Sequence, residues 1–332
     1  MTTAPRRQPV ALLGGGVIGA GWAARLVLNG HEVTVFDPDP RTERKVRAVL
    51  ENAARACDKL DTLRVEPGRL TCTADLEAAA RGAGFIQESA PEREDLKRDL
   101  LARASRAAAP EVIIASSTSG LLPSRLQADM AHPERFVVGH PFNPVYLLPL
   151  VEVCGGERTS EETKQNAAAF YRSLGMHPLM LRREVDGFIA DRLMEALWRE
   201  ALHLINDEIA TADEIDQAIV YGPGLRWAFM GTFLTYRLAG GEAGMRHFMA
   251  QFGPALKLPW AHIEAPELTD ELIDRIVLQS DAQAGDRSTR ELERTRDDCL
   301  VAVLQALRTQ GYAAGAVPPP AVGGNAGNGE GA

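Results

Sequence analysis

His140 and Glu152, twelve residues apart and each set in a short apolar run, are the first residues of this sequence equipped to move a proton. The run from Phe136 leads into Gly139-His140-Pro141-Phe142-Asn143-Pro144, and Leu150-Val151-Glu152-Val153 reads as a strand of its own. A neutral imidazole takes up a proton with useful affinity near physiological pH. A buried carboxylate on its far nitrogen would fix the tautomer and stabilise the imidazolium as it forms. Together they suit removal of a proton from a hydroxyl that is losing a hydride. Spacing alone leaves plainer readings open, since a histidine after a strand is more often a packing residue and a glutamate between valines can be an edge-strand charge. The pair can work together only if the two strands lie side by side.

A hydride needs an acceptor, and the start of the chain offers a place for one. Val10 to Leu13 runs into Gly14-Gly15-Gly16-Val17-Ile18-Gly19, where Gly14, Gly16 and Gly19 fit the GxGxxG pattern and the following residues read as a helix to Asn29. Such a loop gives a tight turn, close backbone approach to a pyrophosphate and close helix-strand packing, with the phosphates at the helix N-terminus. The next strand, Glu32 to Phe36, ends at Asp37, eighteen residues past Gly19. A carboxylate there accepts hydrogen bonds from both ribose hydroxyls and repels a 2'-phosphate. Three glycines can also simply make a turn, but strand, helix, second strand and acid all fall at the required spacing. The expected cofactor is NAD.

Short apolar runs at Val10 to Leu13, Glu32 to Phe36, Phe85 to Gln87, Val112 to Ala115, Phe136 to Gly139 and Leu150 to Val153 alternate with helical patterns as far as Leu181. That rhythm indicates an α/β fold: a Rossmann-type, doubly wound, mostly parallel sheet over residues 1–185. From 186 to 310, long helical patterns at Ile189 to Ile209 and Leu268 to Leu307 indicate an all-helical domain for substrate and dimerisation. The stretch 311–332, rich in Gly, Ala and Pro, lacks the large apolar residues that offset ordering entropy and is expected to be disordered. The hydroxyl-rich Ser116-Ser117-Thr118-Ser119-Gly120 follows a strand, where ligands gather in such sheets.

The chain has 332 residues, 45% of them hydrophobic and 24% charged, the balance of a globular protein. Its net charge of -9 disfavours nucleic acid and anionic membrane surfaces as partners. No apolar run approaches the ~18 residues that would suggest a membrane span, and the polar start with Arg6 and Arg7 does not read as a signal peptide. Four cysteines, Cys57, Cys72, Cys154 and Cys299, show neither zinc spacing nor a disulfide framework. No metal is expected, and a reducing cytoplasm fits.

The His-x-Phe-Asn-Pro segment followed by Leu-Val-Glu-Val resembles the L-3-hydroxyacyl-CoA dehydrogenase family, and the resemblance extends by motif and domain order from Val10 to Leu307. It implies that His140 and Glu152 form the catalytic pair. Ser119, in a run similar to the family's Asn-Thr-Ser-Ser, would hydrogen-bond the substrate oxygen, and Asn143 would hold substrate and nicotinamide. Gln87-Glu88-Ser89-Ala90-Pro91-Glu92 and Lys97 resemble a second cofactor-contacting loop, which adds Ala90, Glu92, Lys97 and Ser117 to Gly14, Gly16, Val17, Ile18, Gly19 and Asp37. Glu92 can equally be an acid favoured by a helix dipole. The family also implies a homodimer.

Two departures argue against a fatty acyl-CoA substrate. Between Asp37 and Phe85 the chain looks shorter than the lysine-rich helical hairpin that serves CoA in the family, and Arg41, Arg44, Lys45 and Arg47 can be a solvated helix face. Asp186-Gly187-Phe188-Ile189-Ala190-Asp191-Arg192-Leu193 resembles the family's Gly-Phe-x-x-Asn-Arg-Leu hinge, with Asp191 in place of Asn. A further carboxylate near a developing oxyanion is counterproductive unless a positive charge accompanies it.

His140 to Glu152, Gly187 to Ala201 and Gly222 to Leu238 are most similar to a branch of the family acting on a small zwitterionic 3-hydroxy acid with a trimethylammonium head. Aromatic faces hold such a head group. Phe142 and Phe252 are the first candidates, and Tyr146, Trp198, Trp227, Phe229, Phe233 and Trp260 are further ones, though helices bury aromatics by default. Ile189, Ala190 and Asp191 join the substrate set, and Arg192 or Arg226 could pair with the substrate carboxylate. The rivals are a gulonate-type member, an acyl-CoA member and a non-catalytic NADH-binding scaffold. A scaffold has no chemical need for both His140 and Glu152.

Overall fold

The computed structural model describes residues 8–60, 65–261 and 264–318. They divide into two units, one ending at Ile189 and the other spanning Ala190–Ala316. The first is built on strands β1 (Val10–Leu13), β2 (Val33–Phe36), β3 (Leu70–Thr73), β4 (Phe85–Glu88), β5 (Ile113–Ser116), β6 (Phe136–Pro141), β7 (Leu150–Cys154) and β8 (His177–Met180). Its helices are α1 (Val17–Leu28), α2 (Thr42–Lys59), α3 (Leu76–Arg81), α4 (Glu94–Ala107), α5 (Pro123–Leu126) and α6 (Glu161–Ser173).

The strands form one sheet in the order β3-β2-β1-β4-β5-β6-β7-β8. Every neighbouring pair is parallel except β6 and β7, which run antiparallel. The order reverses between β1 and β4, which opens a crevice at their carboxyl ends. Side chains of β1 alternate between the two faces, Val10 and Leu12 into one apolar cluster, Ala11 and Leu13 into the other. A strand covered on both sides can be apolar throughout, which is why Val-Ala-Leu-Leu is legible as an interior strand.

β3 and β8 lie outside the strands expected from sequence, and both are sheet edges. Leu70-Thr71-Cys72-Thr73 buries only its first residue, and Pro178 in β8 removes a backbone donor, so neither carries the pattern of a central strand.

The second unit, among its described residues, is helical: α7 (Ala190–Asn206), α8 (Ala212–Val220), α9 (Pro223–Trp227), α10 (Thr232–Ala239), α11 (Gly244–Phe252), α12 (Asp270–Ala284) and α13 (Thr289–Gln310). The single pattern read over Leu268 to Leu307 is two helices. Gly285 at φ 62 ends α12, and Ser288 with Glu291 forms a capping box that starts α13.

The turn at Gly187–Ile189, just past residue 185, is bonded to Glu152 of the first unit through the Ile189 N–H. Of the stretch expected to be disordered from 311, Gly311 caps α13 in a left-handed conformation and Ala313–Ala316 form a 3-10 turn. Residues 319–332, like Arg6 and Arg7, lie outside the described residues.

Candidate active site

Gly14 follows β1 with φ 106, a conformation L side chains rarely adopt, and a Cβ there would lie 2.6 Å from the Ser89 carbonyl oxygen beyond β4. A Cβ on Gly19 would meet the Gly14 carbonyl oxygen at 1.9 Å, so α1 packs directly on the turn. Gly16 differs: a Cβ there would meet nothing within 4 Å. Gly16 is also the N-cap of α1, with no side-chain cap on the helix, and the neighbouring Val17 is 67% exposed. An uncapped helix start with open space before it fits a pyrophosphate.

Asp37 stands at the end of β2, its carboxylate held by two backbone donors. Gly15 N–H donates to Oδ2 and Asp39 N–H to Oδ1, each at 2.8 Å. Asp37 also lines a cavity of about 240 Å³ with Asp39, Thr42, Glu43, Cys72 and Thr73 among its walls. The residues present fit a dinucleotide, with Gly14 to Gly19 for the phosphates and Asp37 for the adenosine ribose.

The second loop is locked by buried charge. Glu88, at the end of β4, is fully buried and accepts hydrogen bonds from Ser116 Oγ at 2.5 Å, Ala90 N at 2.5 Å and Lys97 Nζ at 2.8 Å. Lys97 Nζ also donates to the Ala90 carbonyl at 2.9 Å and lies 3.3 Å from Glu92 Oε2. Glu92 accepts from Thr118 Oγ1 and from Ser119 N–H at 2.9 Å. Lys97, expected to contact the cofactor, therefore directs its ammonium at Glu88, Ala90 and Glu92. Glu92 tethers the Thr118–Gly120 turn to the loop that leads into α4. Ser117 Oγ accepts from Trp22 Nε1 and Gln87 Nε2 and pairs with Ser89 Oγ, inside the fold.

His140 and Glu152 face each other in the antiparallel register of β6 and β7. Nδ1 and Oε2 are 3.0 Å apart, the imidazole is nearly buried and the carboxylate completely so. Oε1 accepts from Ile189 N–H at 3.0 Å, so the backbone of a residue expected to touch substrate serves the glutamate. That amide is delivered by Gly187 and Phe188, at φ 71 and 47; a buried aromatic residue in the left-handed region is strained.

The Phe142 and Phe188 rings flank the imidazole, with centroids 4.8 and 5.7 Å away. Gly139, just before the histidine, has the hydroxyl of Tyr171 where a Cβ would be, at 1.9 Å. That hydroxyl donates to Gln87 Oε1 at 2.7 Å, while Gln87 Nε2 donates to the Gly139 carbonyl at 3.1 Å. With Nδ1 turned to Glu152, Nε2 is the nitrogen through which the ring can accept a substrate proton. Ser119 and Asn143 are exposed, and Asn143–Pro144 is a cis peptide.

The remaining expected residues belong to the second unit. Ala190, Asp191 and Arg192 form the first turn of α7, a position where a helix dipole by itself favours the acid. Arg226 lies exposed on α9. Phe252 ends α11, 45% exposed, in a stack with Phe248 and Tyr236. Of the other aromatic candidates only Tyr146 is buried, its hydroxyl accepting from Asn52, while Trp198, Trp227, Phe229, Phe233 and Trp260 are exposed.

Sequence reasoning passed over Glu88, Phe188 and Tyr171. A glutamate ending an apolar strand and a bulky residue directly after a hinge glycine were the signals for the first two. Tyr171 carried no local signal, because its partners are distant in the chain.

Residues 9–185 match the family model of the 3-hydroxyacyl-CoA dehydrogenase NAD binding domain, and residues 187–285 match that of the C-terminal domain. An L-carnitine dehydrogenase of Pseudomonas aeruginosa is 62% identical over 302 residues, covering 90% of this chain and 93% of the relative. One from Oceanobacillus iheyensis is 52% identical, covering 90% and 97%. Among solved structures, the NAD+-dependent dismutase 5-formyl-3-hydroxy-2-methylpyridine 4-carboxylic acid 5-dehydrogenase superposes with a TM-score of 0.77 at 26% identity, covering 93% of this chain and all of that one. The glycine turn, the carboxylate of Asp37 anchored beside it and the two matched domains agree, and the chain belongs to the 3-hydroxyacyl-CoA dehydrogenase family of NAD-dependent oxidoreductases.

Proposed function

We propose that this chain oxidises the 3-hydroxyl of L-carnitine to 3-dehydrocarnitine with NAD. The observation that carries the chemistry is the buried His140–Glu152 contact at 3.0 Å, with the second carboxylate oxygen occupied by Ile189 N–H. The substrate reading is supported by relatives named for L-carnitine at 52 to 62% identity over nearly their full length.

When bound, the nicotinamide supplies the hydride acceptor. His140 removes the hydroxyl proton at Nε2, and Glu152 stabilises the imidazolium without taking the proton itself. Ser119 and Asn143 steady the oxygen on which charge develops. The turn at Gly187–Ile189 holds Glu152 in line. Phe142, beside the imidazole in the first unit, offers a face to the trimethylammonium head.

We further propose a homodimeric enzyme of the cytoplasm. The many exposed apolar side chains of the second unit support association, and four free cysteines suit a reducing compartment. Among the described residues no helix is long and apolar enough to cross a membrane.

The test is NADH production from L-carnitine, D-carnitine, L-gulonate and 3-hydroxybutyryl-CoA side by side. L-carnitine should give the highest kcat/KM, with oxidation favoured at alkaline pH because a proton is released. A higher kcat/KM with any of the other three would overturn the assignment.

A further inference from the structure

The start of α2 carries cations where a helix dipole disfavours them: Arg41 is the N-cap and Lys45 lies in the first turn. Both are turned onto one carboxylate. Asp39 accepts from Arg41 Nε at 3.0 Å, Arg41 Nη2 at 3.2 Å and Lys45 Nζ at 2.8 Å. These bonds hold the Asp39 carboxyl well below the usual carboxylate range. Arg41 and Lys45 are 70% and 52% exposed, so the pairs contribute little to stability.

Asp39 is also the residue whose N–H fixes Asp37, and both acids line the same cavity. Pro38 and Pro40 flank it and stiffen the turn. Thr42 and Glu43 of α2 wall that cavity, and Arg41 and Lys45 stand close to them along the chain; such cations are what a 2'-phosphate would seek, and one carboxylate holds both.

We propose that Asp39 is a second determinant of cofactor choice, acting beside Asp37: it withholds Arg41 and Lys45 from the 2'-phosphate of NADP. Asp37 rejects the phosphate by direct repulsion, and Asp39 rejects it by occupying its counter-ions. Arg41 and Lys45 are therefore latent partners for a 2'-phosphate, masked by Asp39, while Glu43 in the same cavity is paired with Arg47. Replacing Asp37 alone leaves that mask in place.

The test is fluorescence titration of NADH and NADPH, without substrate, on the full chain and on Asp37→Ser, Asp39→Asn and the double variant. Asn at 39 keeps an oxygen for the Arg41 N–H that donates to it at 2.9 Å, so the turn persists and only the charge is lost. NADPH affinity should rise roughly five- to tenfold when Asp39→Asn is added to Asp37→Ser. Adding Arg41→Gln and Lys45→Gln should then remove that gain. The proposal is overturned if Asp39→Asn changes NADPH affinity by less than about twofold in the Asp37→Ser background. It is equally overturned if the gain survives loss of both cations. Because only binding is read, the outcome does not depend on which alcohol the enzyme oxidises.

Discussion

The first unit encloses Trp22, Phe85, Phe136, Tyr171 and Phe188 at 1% exposure or less, while the second leaves Phe233 82%, Tyr221 78% and Trp260 71% exposed. The same contrast holds for polar groups. Gln87, Glu88, Lys97, Ser117, His140 and Glu152 are buried in the first unit, each with hydrogen-bonded partners, whereas Asp297 is the buried charged residue among those described in the second. Burying polar side chains is costly unless every one is paired, so such a network is kept only where geometry must be exact. The first unit is thus a rigid holder for the NAD-binding fold and for the pair proposed to transfer the proton. The second presents apolar helix faces that a single chain does not cover.

The largest effect should come from breaking the proposed catalytic pair inside the rigid unit. His140→Asn should lower kcat ~10³-fold and Glu152→Gln ~10²-fold, the range over which a positioned acid-base group acts. NADH affinity, for which Gly14 to Gly19 and Asp37 are the proposed contacts, should change little in either variant. Stopped-flow kinetics together with NADH titration separate the two quantities. Turnover near that of the unaltered chain for His140→Asn would remove the proton-acceptor reading.

A middle-sized effect should follow from Gly139→Ala, which tests how far that rigidity is needed. The added methyl meets the Tyr171 hydroxyl, itself fixed by Gln87, and neither strand nor helix can yield cheaply. A cost of ~1–3 kcal/mol is expected for such overpacking, read as a lower denaturation midpoint. Tyr171→Phe removes the nearest atom but leaves ring carbon Cζ 2.6 Å from the added methyl and deprives Gln87 Oε1 of its donor, so the double variant should regain little of the lost stability. If Gly139→Ala alone is as stable as the unaltered chain, β6 is softer than the network implies.

How much of this was legible in sequence follows from the range of the interactions. GxGxxG and Asp37 were readable because one strand-helix-strand unit fixes both. His140 and Glu152 were readable as candidates, but their pairing depends on β7 running antiparallel beside β6, which spacing does not dictate. The Lys97 contacts are not legible in sequence because Glu88 sits in a loop-like run and a lysine is ordinarily a surface residue. β3 and β8 escaped because edge strands lack the two-sided apolar pattern. The left-handed Phe188 contradicts local preference, as strained positions beside functional groups commonly do.

The smallest effect on chemistry should come from the exposed face of the second unit, and it sharpens the contrast most directly. Phe233→Asp places a charge on a side chain that is 82% exposed on α10. In a lone chain such a change is worth within about 0.5 kcal/mol, because no packing is lost. In an association interface the same carboxylate is desolvated opposite apolar groups, and the partners separate. Sedimentation velocity should therefore show Phe233→Asp shifted toward the monomer at concentrations where the unaltered chain forms the proposed dimer, while NADH affinity in the first unit stays the same. An unaltered chain that sediments as a monomer would mean that the apolar faces of the second unit are not covered by a second copy. A variant that stays dimeric would instead confine the interface to other faces, those bearing Trp198 or Trp260 being the next to test.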